Sequence, residues 1–351
     1  MNTILRRIDV DNIDITIIQE ASDILKKGEM VAFPTETVYG LGADALDEMA
    51  SKKIYEAKGR PSDNPLIVHV ADMKQLQPLV KDIPESAIKL INAFWPGPLT
   101  IVFNKSERVP YGTTGGLDTV AIRMPAHKVA LKLIEVSDIP IAAPSANTSG
   151  RPSPTNASHV MEDLNGKISM ILDGGEVGIG IESTIVDVTS DIPMILRPGY
   201  INKKMLEEVV GKVAVDKAIS EPLSSDVRPK APGMKYRHYA PKADFTIYDG
   251  ELECVTARIN EIAEHYVQKG FKVGIIASDE TKAEYNFGEV ISIGTRDEDI
   301  TISRNLYRVL REFDDRQVDY ILGEAFVGGQ LGQAIMNRLL KAAGYKVESV
   351  T

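Results

Sequence analysis

Residues 57–70, AKGRPSDNPLIVHV, crowd two cations, a carboxylate, an amide and a histidine around two prolines, then run into an apolar β-like segment. Lys58 and Arg60 ahead of Pro61 suit a helix C-terminus, where cations complement the dipole and proline forbids continuation. A helix that hands over to a short buried strand is the repeating unit of α/β domains. The polar groups gathered at the junction admit two readings, a solvated loop or a binding site for an anionic ligand.

The same texture extends on both sides. Residues 14–28 space Ile17, Ile18, Ala21, Ile24 and Leu25 at helical intervals, end in two lysines and stop at Gly28. Short apolar runs follow as strand candidates: VAFP at 31–34, LIVHV at 66–70, LTIVF at 99–103, VAIRM at 120–124, IPIAAP at 139–144, STIVDVT at 183–189 and MILRP at 194–198. Amphipathic helices are expected at 85–95 and 126–137, between several of these. One α/β domain is therefore expected over 1–210. Residues 212–227 lack a strong period, and 228–242, RPKAPGMKYRHYAPK, hold five Lys or Arg, no acid and three prolines, so 211–243 reads as a linker. Beyond it, DFTIYDG, KVGIIAS, EVISIG and YILGEAF alternate with helical segments, which predicts a smaller Rossmann-like parallel α/β domain over 244–351.

Composition removes several function classes. A chain of 351 residues, 43% hydrophobic, is long enough for two cores, and its single cysteine, Cys254, allows neither an intramolecular disulfide nor a cysteine-built zinc site. The N-terminal residues hold no apolar core of signal-peptide length, and no run approaches the ~20 apolar residues of a membrane span. A cytoplasmic protein with no membrane role is the expectation. The net charge of −10, with 19 acids against 12 Lys and Arg after residue 243, opposes an extended nucleic-acid interface but permits a small anion held by a local cation cluster.

Familiar catalytic motifs are missing. There is no phosphate loop of the G-x-x-x-x-G-K-[ST] type, no dinucleotide fingerprint, no nucleophile elbow and no metal spacing among the five histidines. Instead, polar clusters sit at the ends of strand-like runs, where open α/β sheets form ligand crevices. They are PTETVYGLGAD at 34–44, KGRPSDNP at 58–65 with His69, GLDTVAIR at 116–123, APSANTSGRPSP at 143–154, and ESTI at 182–185 with Arg197. Each alone could be a cap, a turn or a surface charge; five within one domain favour a site.

These blocks, with FWPGPLT and DGG between them, resemble the YrdC-like family in the expected order, and APGMKYRHYAP with the late AIMNRLLKAA is similar to its long two-domain form. The resemblance implies a twisted mixed sheet with flanking helices and an open cavity, and condensation of L-threonine, bicarbonate and ATP to threonylcarbamoyl-adenylate and pyrophosphate. That product would feed threonylcarbamoyladenosine formation in tRNA beside the anticodon, with hand-off to the transferase complex and no requirement for tRNA contact. By the same resemblance, Lys58, Arg60, Ser145 and Asn147 form the catalytic K-x-R and S-x-N pair. Asn64, Thr119, Ser153, Arg197 and Tyr236 join Lys58, Arg60 and Ser145 on ATP, and Thr35, Thr37, His69, Arg123, Ala143 and Ser183 hold threonine. Mg2+ is expected only with the ATP phosphates, with no protein metal site. Histidine titrates near neutrality, so His69 invites a base role, but a positioning role is preferred because phosphoryl transfer can run on orientation and electrostatics. Tyr236 would reach the nucleotide from a linker folded over the cavity. Two rivals remain: a double-stranded-RNA module using Lys52, Lys53, Lys58 and Arg60, and the related carbamoyl transfer of hydrogenase maturation, disfavoured by the missing cysteines and acylphosphatase-like segment.

Overall fold

The computed structural model describes residues 2–219, 229–232, 234 and 238–351. They form two compact units, one made of 2–149, 153–178 and 182–234, the other of 150–152, 179–181 and 238–351.

The first unit is built on a mixed sheet of eleven strands among the described residues. Its spatial order is Ile4–Arg7, Met170–Asp173, Val31–Phe33, Gly40–Asp44, Ile141–Ala142, Ile67–His69, Thr119–Arg123, Leu99–Asn104, Thr184–Asp187, Met194–Arg197 and Ala214–Val215. At its centre the Ile67–His69 strand runs parallel to Thr119–Arg123, which is antiparallel to Leu99–Asn104. Side chains alternate across a sheet, and that period sorts these strands. Val68, Val120, Ile122, Ile101, Phe103 and Val186 point into the main core, while Ile67, Ala121, Val102 and Ile185 point to the other face, in a separate apolar cluster. That second face carries the candidate site.

Helices anchor the sheet and place the junction quoted at the outset. Ile15–Lys26 is N-capped by Asp14, whose carboxylate accepts from the Thr16 amide, and buries Ile18, Ala21 and Leu25. Glu48–Lys58 is capped by Asp47 and ends at Gly59, whose φ of 60° is left-handed and favours glycine. Lys58 is thus the last helical residue, turned inward where the chain reverses. A second glycine is fixed by packing: a Cβ on Gly42 would lie 2.7 Å from both Ile141 Cγ2 and Phe33 Cε1.

The second unit is an all-parallel five-stranded sheet ordered Glu289–Ser292, Val273–Ala277, Tyr320–Glu324, Asp244–Gly250 and Val347–Val350, with helices Leu252–Gln268, Asp299–Arg316 and Gly332–Ala342. The expected fold class holds in both units. Three strands of the first sheet within residues 1–210, Ile4–Arg7, Gly40–Asp44 and Met170–Asp173, stand where the sequence reading had none. Gly40–Asp44 escaped because two of its five residues are glycine, which weakens the strand signal. Residues 211–219, read as the start of the linker, instead add the edge strand Ala214–Val215 and a 3-10 turn, Lys217–Ile219.

Candidate active site

Strand register lays a line of residues straight across the site face. His69 is the Cα partner of Arg123, Arg123 of Thr100, Thr100 of Ile185, and Ile185 of Arg197. Four of the five are polar although all are buried, and they come from segments up to 128 residues apart in the chain. One step along the strands, Ile67, Ala121 and Val102 form an apolar floor beside this polar line. Ala231 and Met234 are packed on that floor, and the Pro232 carbonyl accepts from Arg197 Nη1 at 3.4 Å.

Arg123 organises one end. Its Nε donates to the Gly97 carbonyl (3.2 Å), Nη1 donates to Thr37 Oγ1 (2.9 Å), and Nη2 lies 2.6 Å from Glu36 Oε1. Thr35 Oγ1 donates to the Val38 carbonyl (2.7 Å), so the 2.9 Å bond between the two threonine hydroxyls has Thr37 as donor. The guanidinium is thereby held flat and aimed. His69, 4% exposed, sits beside it with Nδ1 3.2 Å from the Ile67 carbonyl. Burial first, and the nearby Arg123 charge second, push the imidazole pKa down to about 3. A neutral ring with so little basicity is a poor proton acceptor at neutral pH, which weighs against the base role. Further along, Ser183 Oγ lies 2.8 Å from Thr100 Oγ1, and Arg197 donates to the Ser183 carbonyl (3.0 Å) and hydroxyl (3.2 Å). Arg197, assigned above to the nucleotide, therefore stands in the same line as the threonine candidates. Ala143 lies at mid-sheet, its amide donating to the Ile67 carbonyl at 2.8 Å.

The other end gathers around the helix-to-strand junction. Lys58, 1% exposed, donates through Nζ to the backbone carbonyls of Ser145 and Asn147, and more weakly to Asn147 Oδ1 (3.4 Å). Ser145 Oγ donates to Asn147 Oδ1 at 2.6 Å. The K-x-R and S-x-N segments are thus joined, with the lysine tying the loop to the helix end. Arg60 curls back on its own turn, donating to the Asn64 (3.3 Å) and Pro65 (3.1 Å) carbonyls. Asn64 is buried with an Oδ1 that accepts no hydrogen bond. Thr119 opens the strand that Arg123 closes, roughly 13 Å away at ordinary strand rise. Ser153 Oγ donates to Glu182 Oε1 at 2.6 Å. Tyr236 lies outside the described residues.

Three participants had not been singled out: Glu36, Thr100 and Glu182. Glu36 is the lone charge in PTET, and Thr100 the polar interruption of LTIVF; alternation gives Thr100 away only once the register with Arg123 is known. The rival RNA patch does not form. Lys58 and Arg60 are 1% and 9% exposed, Lys53 donates to the Gly28 carbonyl and pairs with Glu29, and Lys52 lies 3.8 Å from Glu56. A duplex backbone needs cations on an open surface.

Fold and geometry together define an α/β protein with a buried polar line across one sheet face and a buried, cation-bearing helix-to-strand junction, followed by a parallel α/β unit. The Sua5/YciO/YrdC family model, described as "Telomere recombination", matches residues 23–199, and the model described as "Threonylcarbamoyl-AMP synthase, C-terminal domain" matches 201–344. The chain belongs to this family, in its two-domain form. It is 52% identical over 333 residues to threonylcarbamoyl-AMP synthase of Pyrococcus abyssi, covering 95% of this chain and 96% of the relative. It is 50% identical to the Bacillus subtilis protein of the same name, with 94% of each covered. The solved structure of P. abyssi Sua5 complexed with L-threonine matches at TM-score 0.93 and 50% identity, over 99% of this chain and 100% of that one.

Proposed function

We propose that this chain condenses L-threonine, bicarbonate and ATP to L-threonylcarbamoyl-adenylate and pyrophosphate, which makes it a nucleotidyltransferase supplying tRNA threonylcarbamoylation. The observation that carries this reading is the burial of four cations, Lys58, Arg60, Arg123 and Arg197, each 9% exposed or less, within the stretch that the first family model matches. Burying cations is costly unless anions or aligned dipoles compensate. The reaction brings three anionic species together: a carboxylate, bicarbonate and a triphosphate.

Threonine enters the Arg123 end, its carboxylate on the guanidinium and its hydroxyl and amine among Thr35, Thr37, His69, Ser183 and the Ala143 backbone. Its amine nitrogen bonds to the bicarbonate carbon as water leaves, giving a carbamate. A carbamate oxygen then bonds to the α-phosphorus of ATP as the bond to pyrophosphate breaks. Arg197, next to Ser183 in the same line, suits the carbamate and α-phosphate oxygens between the two ends. Lys58, Arg60, Asn64, Ser145, Asn147 and Thr119 line the triphosphate and nucleoside side, with Ser153 adding a hydroxyl; lysine acts there as a point charge and arginine as a planar fork. Mg2+ accompanies the ATP phosphates as part of the substrate. The likeness to P. abyssi Sua5 with L-threonine supports the amino-acid half of the scheme.

No helix among the described residues is long and apolar enough to cross a membrane. A cytoplasmic location, with hand-off of the labile product to the tRNA-modifying transferase complex, fits the single unpaired cysteine. The test is incubation with ATP, L-threonine and bicarbonate with pyrophosphate as readout. Threonine-dependent release is expected, and release independent of threonine would overturn the reading.

A further inference from the structure

Glu36 stands out as a carboxylate whose two oxygens are both shielded from solvent: Oε1 is ion-paired with Arg123 Nη2 at 2.6 Å, and Oε2 accepts no hydrogen bond. The guanidinium beside it has its Nε and Nη1 bonds already committed to Gly97 and Thr37. Oε2 therefore retains its acceptor capacity, and a buried acceptor without a hydrogen bond is costly to keep. Its position is informative, because positive and negative groups sit side by side at 2.6 Å, the cation buried and the carboxylate largely so. An α-amino acid presents the mirror of that arrangement. Its ammonium nitrogen and nearer carboxylate oxygen are roughly 2.7 Å apart for ordinary N–Cα, Cα–C and C–O lengths. Laid against Arg123 and Glu36, the four charges alternate in sign around a closed ring, the arrangement in which every nearest neighbour attracts.

We infer that Glu36 and Arg123 together form the receptor for an amino-acid zwitterion, Glu36 accepting from the α-ammonium while Arg123 holds the carboxylate. This rests on the assignment of Arg123 to the threonine carboxylate. It assigns Glu36 the task of selecting substrates that carry an α-amino group, the group that must become the carbamate nitrogen. The His127 imidazole also feels the Glu36 charge, which acts against the lowering of its pKa by burial. A ligand ammonium would be the missing second cation.

The experiment is calorimetric titration of the full chain with L-threonine and with 3-hydroxybutyrate, the same skeleton without the amine, using wild type, Glu36→Gln, Glu36→Asp and Arg123→Gln. Circular dichroism would confirm that each variant is folded. Glu36→Gln should weaken threonine about 10- to 100-fold, the range of one charge-assisted hydrogen bond, and leave 3-hydroxybutyrate unchanged. Glu36→Asp, which restores the charge, should recover part of the threonine affinity. Unchanged threonine affinity in Glu36→Gln overturns the inference. So does equal tightening of both ligands, which would make Glu36 an internal competitor for Arg123. If Arg123→Gln binds threonine like wild type, the carboxylate assignment itself fails; loss in Arg123→Gln with no effect in Glu36→Gln sinks only the role of Glu36.

Discussion

Replacing Lys58 by methionine isolates the charge at the helix-to-strand junction, since methionine keeps most of the buried stem and removes the ammonium. In the folded chain that ammonium donates to the Ser145 and Asn147 carbonyls, at a residue 1% exposed. Each bond from a charged donor to a buried carbonyl contributes about 1.5–3 kcal/mol, and some of the loss is returned because a desolvated cation is no longer buried. A net destabilisation of roughly 2–4 kcal/mol follows, and at about 2–4 °C per kcal/mol for a unit of this size Tm should fall by about 4–16 °C. Differential scanning calorimetry, which separates the transitions of two units, is the appropriate assay. The same variant should lose threonine-dependent pyrophosphate release by at least about 100-fold, as expected for one electrostatic contact to a reacting phosphate. A Tm shift under about 1 °C would show that the lysine does not hold the S-x-N loop as the structure indicates. Unchanged pyrophosphate release would remove it from the catalytic set.

His69 is buried with its pKa depressed, so below about pH 6.5 the unfolded chain binds a proton that the folded chain refuses; stability is present above that pH and is lost as pH falls toward about 3. Against wild type, His69→Asn should flatten the slope of stability on pH in this window, by at most about 1.4 kcal/mol per pH unit, in chemical denaturation at stepped pH; identical slopes would contradict the burial argument. Gly42→Ala should cost about 1–3 kcal/mol in urea unfolding, because the new methyl meets Ile141 and Phe33 at 2.7 Å, and a neutral result would mean that the two strands part easily. In the second unit Glu324 is buried and accepts from Arg296, Thr281 and, at 2.7 Å, Tyr285. Glu324→Ala should lower the second unit's calorimetric transition by about 3–5 kcal/mol; a shift confined to the first unit's transition would refute that placement.

Much of this was legible in the chain itself. The apolar runs at 66–70, 99–103, 120–124 and 183–189 fall within a residue or two of the strands Ile67–His69, Leu99–Asn104, Thr119–Arg123 and Thr184–Asp187, because β-branched residues bounded by Gly, Pro and Asp leave few alternatives. The polar blocks between them marked Lys58, Arg60, Arg123, Ser145 and Asn147 because several polar clusters at strand ends in one domain exceed what solvated loops require. Local chemistry also set the junction at 57–70: the helix ends at Lys58 because Gly59 takes the left-handed cap, and Pro61 and Pro65 prevent its resumption.

What the chain could not disclose is which of these residues meet. His69, Arg123, Thr100 and Arg197 become one line only through strand register, a property of pairing between distant segments that no local pattern encodes. Register also separates members of the candidate set, placing Arg197 in line with Arg123 and His69 and Thr119 a strand's length from Arg123. The environment of a charge is likewise tertiary. Glu36 reads as one more acid until the sheet closes around it, and His69 as an ordinary titrating histidine until burial removes the water that would stabilise its cation. Sequence determined the chemical inventory and the elements that carry it; tertiary structure decided proximity and desolvation, from which the reactivity of that inventory follows.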